Sequence, residues 1–148
     1  MHPKLIVTAV AFFLSIGASV EAQQNCFAKY SKTNICDYAK KIQKGMAPNL
    51  PMQISQNLSL RNVVAIGPNI SLGAMLDYDE QYLNADLRAK GVSRTRVDSR
   101  MKSMTRNGVC TDPVLRAFVD LGGIISYNYK YIDGSKYLDI GINKDSCE

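Results

Sequence analysis

The chain has 148 residues, a net charge of +5 and four cysteines, but a single histidine and no tryptophan. The histidine is His2, inside what reads as an export leader. A mature chain without histidine can run neither a Ser-His-Asp nor a Cys-His mechanism, and it cannot build a His-containing zinc site.

The leader opens the chain. Lys4 supplies a positive start, Leu5–Gly17 is an apolar and small-residue run, and Val20-Glu21-Ala22 places small residues where a signal peptidase reads them. Residues 1–22 are predicted to be a signal peptide cleaved after Ala22, too short to span a bilayer and stop there. Cys26 follows Gln-Gln-Asn rather than a small apolar tripeptide, so no lipid anchor is expected. Lys4 and Glu21 cancel, so the mature chain keeps its positive charge and favours anionic surfaces modestly. Residues 23–148 read as one α+β domain, periplasmic or secreted, with no transmembrane segment.

Between Cys26 and Gly45, the residues Phe27, Tyr30, Ile35, Tyr38 and Ile42 recur at roughly helical spacing, with Lys40, Lys41 and Lys44 at the end that suits the helix dipole. One straight helix cannot hold a Cys26–Cys36 bond, because ten residues of rise separate the two by about 15 Å. If those two pair, the helix must begin after the Ser31–Asn34 region. A Pro-marked connector, MAPNLPM, follows. Leu58, Leu60, Val64 and Ile66 then alternate, as do Ile70, Leu72, Ala74, Leu76 and Tyr78 beyond Gly67-Pro68-Asn69. The two runs predict a β-hairpin with one buried face and with Ser59, Arg61, Ser71 and Asp77 facing water.

A helix is predicted over 95–107, with Thr95-Arg96-Val97-Asp98 shaped like a capping box and Gly108 as stop. Asp112 and Pro113 start a second, short helix that buries Leu115, Phe118 and Val119 and ends at Gly122. Asp133-Gly134 between alternating runs predicts a closing hairpin. The expected fold is therefore α+β in the order α-ββ-αα-ββ. Four antiparallel strands from two hairpins carry helices on one face, stapled by disulfides.

In the closing hairpin, a two-residue loop opposes Tyr131 to Lys136, Tyr129 to Leu138, Tyr127 to Ile140 and Ile125 to Ile142. The alternating tyrosines then share a core face instead of forming a stacking platform for a ligand. Lys130 and Tyr137 form an exposed pair on the other face. Between 88 and 106, Arg88, Lys90, Arg94, Arg96, Arg100, Lys102 and Arg106 stand against a single acid, Asp98. This basic helix is the expected partner-binding face through Arg94, Arg96, Arg100, Lys102 and Arg106, with Lys130 and Tyr137 as a weaker second surface. Asp77, Asp79, Glu80, Asp133 and Asp139 read as turn and surface acids, not as a catalytic pair. The glycines form no phosphate-cradling loop, and no cofactor, metal site or catalytic residue is expected.

Cys110 lies two residues ahead of a helix start, where a thiol can be activated. No second cysteine follows at CxxC spacing, and Cys147, after the last strand, is a natural place for a staple. A structural bond between them would tie the terminal hairpin to the helix pair and contribute about 2–4 kcal/mol. Cys26 and Cys36 would form the other bond, with crossed pairings still open.

Val109-Cys110 with a short glycine-ended helix, then Tyr127-x-Tyr129-x-Tyr131-x-Asp133-Gly134, then a terminal Cys147, resembles a family of small exported bacterial proteins. Most are uncharacterised, and some are described as quorum-sensing-regulated virulence factors. The similarity extends upstream through Asn49-Leu50-Pro51 and the first hairpin. It implies a Cys110–Cys147 bond and an α+β fold, and it brings no reaction or cofactor. The Cys26/Cys36 pair and the strongly basic central helix depart from the family pattern. Together these features predict an exported, non-enzymatic binding or accessory protein that acts through a protein or envelope partner, of a secretion-accessory, virulence-associated or immunity type. The alternatives are a thiol-disulfide redox protein using Cys110 or Cys26/Cys36, and a binder of anionic envelope polymers. No nucleic-acid partner is expected.

Overall fold

The computed structural model describes residues 26–28 and 31–148; the expected signal peptide, its cleavage site and Tyr30 lie outside the described residues. Asn34 accepts a hydrogen bond from the Asp37 amide and caps α1 (Ile35–Met46), whose buried stripe includes Ile35, Ala39 and Ile42. Cys26 is bonded to Cys36 with a Cα separation of 5.2 Å. The helix starts only after residue 34, as the rise per residue requires for that bond.

A 3-10 turn at Ala47–Asn49 leads into β1 (Met52–Ser55), β2 (Leu58–Ile66) and β3 (Asn69–Leu76). Then come α2 (Glu80–Lys90), α3 (Arg94–Thr111) and α4 (Pro113–Asp120). Strands β4 (Ile124–Lys130) and β5 (Lys136–Ile142) and a 3-10 turn at Lys144–Cys147 close the chain. The strands form one sheet in the order β1-β2-β3-β4-β5. Three of its pairings are antiparallel, but β3 and β4 run parallel.

The expected four-stranded antiparallel sheet is thus corrected to five mixed strands. The parallel pair follows from helix length. The eighteen residues of α3 span about 27 Å, and the eight residues of β3 about 26 Å, so α3 carries the chain back along the full length of the strand. The Ile124 amide then bonds to the Pro68 carbonyl at 3.1 Å, starting β4 beside the β2–β3 turn. Two elements were hidden from pattern reading. Strand β1 is only four residues long and exposed throughout, so its brief Met52-Gln53-Ile54-Ser55 alternation is too short to mark a strand. Helix α2 buries only Leu83 and Leu87, although Asp79 caps it and Gly91 ends it in the left-handed conformation.

Helix α3 also differs from its expected form. Its N-cap is Ser93, and it runs through Gly108 to Thr111. Fully buried Val109 and the Cys110–Cys147 bond, with Cα atoms 5.4 Å apart, hold the turn that glycine alone would have frayed.

The core lies between the helices and one face of the sheet, with Leu72, Ile70, Ile125, Phe118 and Val119 fully buried. In β2 the pairing slips between Leu60 and Asn62, a bulge that changes which residues face inward. Val63 is buried, whereas Val64 and Ile66, expected inside, are 42% and 61% exposed, and Ser59, expected in water, is buried. The closing hairpin pairs Tyr129 with Leu138, Tyr127 with Ile140 and Ile125 with Ile142, as the turn predicts. A second slip pairs Lys130 with Lys136, which leaves Tyr137 as the extra residue.

Gly123 fixes the join between α4 and β4. A Cβ there would overlap the ring of Phe118, which is fully buried and cannot swing aside. Gly123→Ala is expected to destabilise the protein by about 1–3 kcal/mol, the usual cost of overpacking, read as a lower urea midpoint at unchanged slope.

Candidate functional site

The basic stretch divides into groups with different roles. Arg88 and Lys90 sit in the last turn of α2, where Lys90 pairs with Asp86 at 2.8 Å. Arg94, at the start of α3, is turned inward. Its Nε donates to Asp98 at 3.0 Å, one terminal nitrogen donates to the Tyr131 hydroxyl at 2.7 Å, and the other reaches Asn84 and Glu80. The guanidinium lies 4.7 Å from the centre of the Tyr137 ring, and the Tyr137 hydroxyl donates to Asp98 at 2.7 Å. One cation therefore ties α2, α3, strand β5 and the residue that follows β4 together.

This clasp changes the reading of two expected surface residues. Arg94 is committed to internal partners, and Tyr137 packs against Tyr131 and Arg94 instead of standing beside Lys130. The β5 slip causes the second change, because the extra residue turns towards the helices. Arg96, Arg100, Lys102 and Arg106 are all exposed, and none has an ion pair among the described residues. Their charge remains available outward along α3. Lys130 is exposed on the opposite side of the sheet.

Four of the five acids have structural partners. Asp79 accepts from the Tyr82 amide, Asp133 from the Ser135 amide and hydroxyl, Asp139 pairs with Lys136, and Glu80 pairs with Arg94. The tyrosine run belongs to the core side. Tyr127 and Tyr129 stack with centroids 5.9 Å apart, and Tyr129 shares a 2.7 Å hydrogen bond with Thr105.

Cys110 proves to be in the last turn of α3 and bonded to Cys147. A helix C-terminus carries the negative end of the dipole and disfavours a thiolate, so the activation suggested by the following helix start does not apply. No free thiol occurs among the described residues, and the thiol redox reading is set aside.

A feature the sequence reading missed is a groove of about 420 Å³ between α1 and α4, formed by Tyr38, Ile42, Met46, Val114 and Leu115 with Lys41 and Asp112 at its margin. In the sequence its one trace is Val114, an apolar residue off the Leu115, Phe118 and Val119 face of α4, which proves 49% exposed.

With this geometry in view, the solved structures it matches are informative. No protein-family model and no curated protein matches the sequence. Three structures do. A Pseudomonas aeruginosa protein described as secreted matches with a TM-score of 0.61 at 13% identity, over 77% of this chain and 93% of that one. The Vibrio vulnificus pilotin EpsS, of a type 2 secretion system, matches at 0.60 and 15%, over 77% and 92%. The Vibrio cholerae type II secretion pilotin AspS matches at 0.59 and 18%, over 77% and 93%. The chain shares its fold with small secreted and secretion-accessory proteins. At these identities the likeness is one of fold alone.

Two results should follow from the clasp and the buried tyrosines. Arg94→Ala leaves Asp98 without its cation and is expected to cost about 1–3 kcal/mol in urea unfolding, against less than about 0.5 for Arg96→Ala. Burial pushes the Tyr127 hydroxyl up to about 12 from 10.0, and burial also raises Tyr129, Tyr131 and Tyr137. A raised folded pKa stabilises the protein fully below the unfolded value and is lost as pH climbs through the folded one. Thermal stability should therefore fall from pH 10 towards 12, with Tyr127→Phe flattening the fall.

Proposed function

We propose that the chain is an exported, non-enzymatic accessory protein that works by docking a protein partner in a secretion or envelope assembly. Residues 23–148 act as one unit in the periplasm or outside the cell after cleavage behind Ala22. Virulence-associated and immunity roles fit the same mode of action. The observation that carries this reading is how the charges are used. Asp79, Glu80, Asp98, Asp120, Asp133, Asp139 and Arg94 are engaged within the fold, while Arg96, Arg100, Lys102 and Arg106 present unpaired charge along one exposed helix. The likeness to two type II secretion pilotins supports the secretion setting. Among the described residues, no helix is long and apolar enough to cross a membrane.

The same four cations could hold anionic envelope polymers, and one experiment separates the two. The triple reversal Arg96→Glu, Arg100→Glu, Lys102→Glu should abolish capture of a periplasmic protein partner at physiological salt while leaving the melting temperature unchanged. Unchanged capture removes α3 from the reading. Binding instead to purified lipopolysaccharide or cell-wall fractions, fading steeply with salt, favours the polymer. Turnover by the pure protein of any substrate would overturn the non-enzymatic reading.

A further inference from the structure

One face of the sheet is turned away from the core. Parallel strand pairs normally lie covered on both faces, yet β3 and β4 are packed on one face only, and the residues facing the other way are exposed or half-exposed. This open face is divided by chemistry. At one end stand Val64, Ile66 and Ile124, each more than 40% exposed. Ile66 and Ile124 are the Cα partners of Asn69 from its two sides, so the aliphatic groups share one end of the sheet.

At the other end is a depression of about 540 Å³ with Arg61, Lys130 and Lys136 on its walls. Lys130 and Lys136 are direct cross-strand partners, a like-charge pairing that costs stability. Asp139 neutralises Lys136 alone, leaving Lys130 and Arg61 without an ion pair among the described residues. Between them, the Asn128 amide donates to Ser71 at 2.7 Å and Asn62 accepts from the Gly73 amide at 3.1 Å. Each of these side chains keeps further hydrogen-bonding capacity towards the depression. Asn62 fills the space above Gly73, where a Cβ would collide with it, so the amide is held in place over the floor.

We infer that this open sheet face docks a segment of another protein that is acidic at one end and aliphatic at the other. Its carboxylates meet Lys130 and Arg61, the two cations that Asp139 leaves unpaired. Its backbone polar groups meet Asn62, Asn128 and Ser71, and its aliphatic side chains cover Val64, Ile66 and Ile124. The face is separate from α3 and does not depend on the secretion reading.

The test uses the mature chain and a fluorescein-labelled peptide, Glu-Asp-Glu-Gly-Ile-Leu-Ile, with Lys-Arg-Lys-Gly-Ile-Leu-Ile as control. The acidic peptide should bind saturably and the basic one should not. Arg61→Glu with Lys130→Glu should weaken binding about tenfold or more, and Val64→Ser with Ile66→Ser should weaken it measurably. Arg96→Glu with Arg100→Glu should leave it unchanged. Amide shift changes in labelled wild-type protein should fall on β3 and β4. Absence of saturable binding, equal loss in the α3 variant, or indifference to the Arg61/Lys130 reversal overturns the inference. Displacement of the peptide by phosphatidylglycerol vesicles also overturns it and assigns the face to a lipid surface.

Discussion

A sheet that places two parallel strands side by side needs something to bring the chain back to the starting end. Here that burden falls on α3, whose length matches that of β3. Everything around it is arranged to keep it whole and in place. Ser93 caps its start, Arg94 bolts the first turn to the closing hairpin, and Thr105 reaches Tyr129 in the middle. Val109 and the Cys110–Cys147 bond secure the last turn. A helix with so thin an apolar stripe gains little from burial alone. Its position depends on point attachments, which is why one arginine is used for structure in a segment otherwise given over to exposed charge.

That arrangement explains how positive charge can be both structural and available. Within a few residues of sequence, Arg94 is covered on most sides and shared among Asp98, Tyr131 and Tyr137, while Arg96 and Arg100 are exposed and unpaired. The outward charges of α3 are held in fixed positions, because the inward cation anchors the helix that carries them.

Much of this was legible from residues alone, and the gaps have physical causes. The Asp112 cap of α4 and the register of Tyr127 and Tyr129 followed from local rules, and the start of α1 followed once Cys26 and Cys36 are paired, since caps, ring closure and tight turns act over a few residues. The parallel β3–β4 pairing did not, because strand order is decided by where a long helix delivers the chain. Both bulges also escaped. Each is a one-residue slip that alternation cannot register, yet together they exposed Val64 and Ile66 and turned Tyr137 inward. The division of the basic stretch was legible only in part. Arg94 lies four residues before Asp98, a spacing that predicts an ion pair on a helix. Its reach to Tyr131 comes from tertiary placement, and sequence spacing carries no sign of it.

The two cysteine bonds differ in when they can exist. A chain that emerges amino-terminus first presents Cys26 and Cys36 together, ten positions apart, while most of the sheet is still missing. An oxidant acting then has only one pair to join. Cys110 emerges later and must wait for Cys147, 37 residues further on and beyond the last strand. The clamp on the last turn of α3 therefore closes only after both strands of the closing hairpin have emerged, whereas the first bond needs none of the sheet.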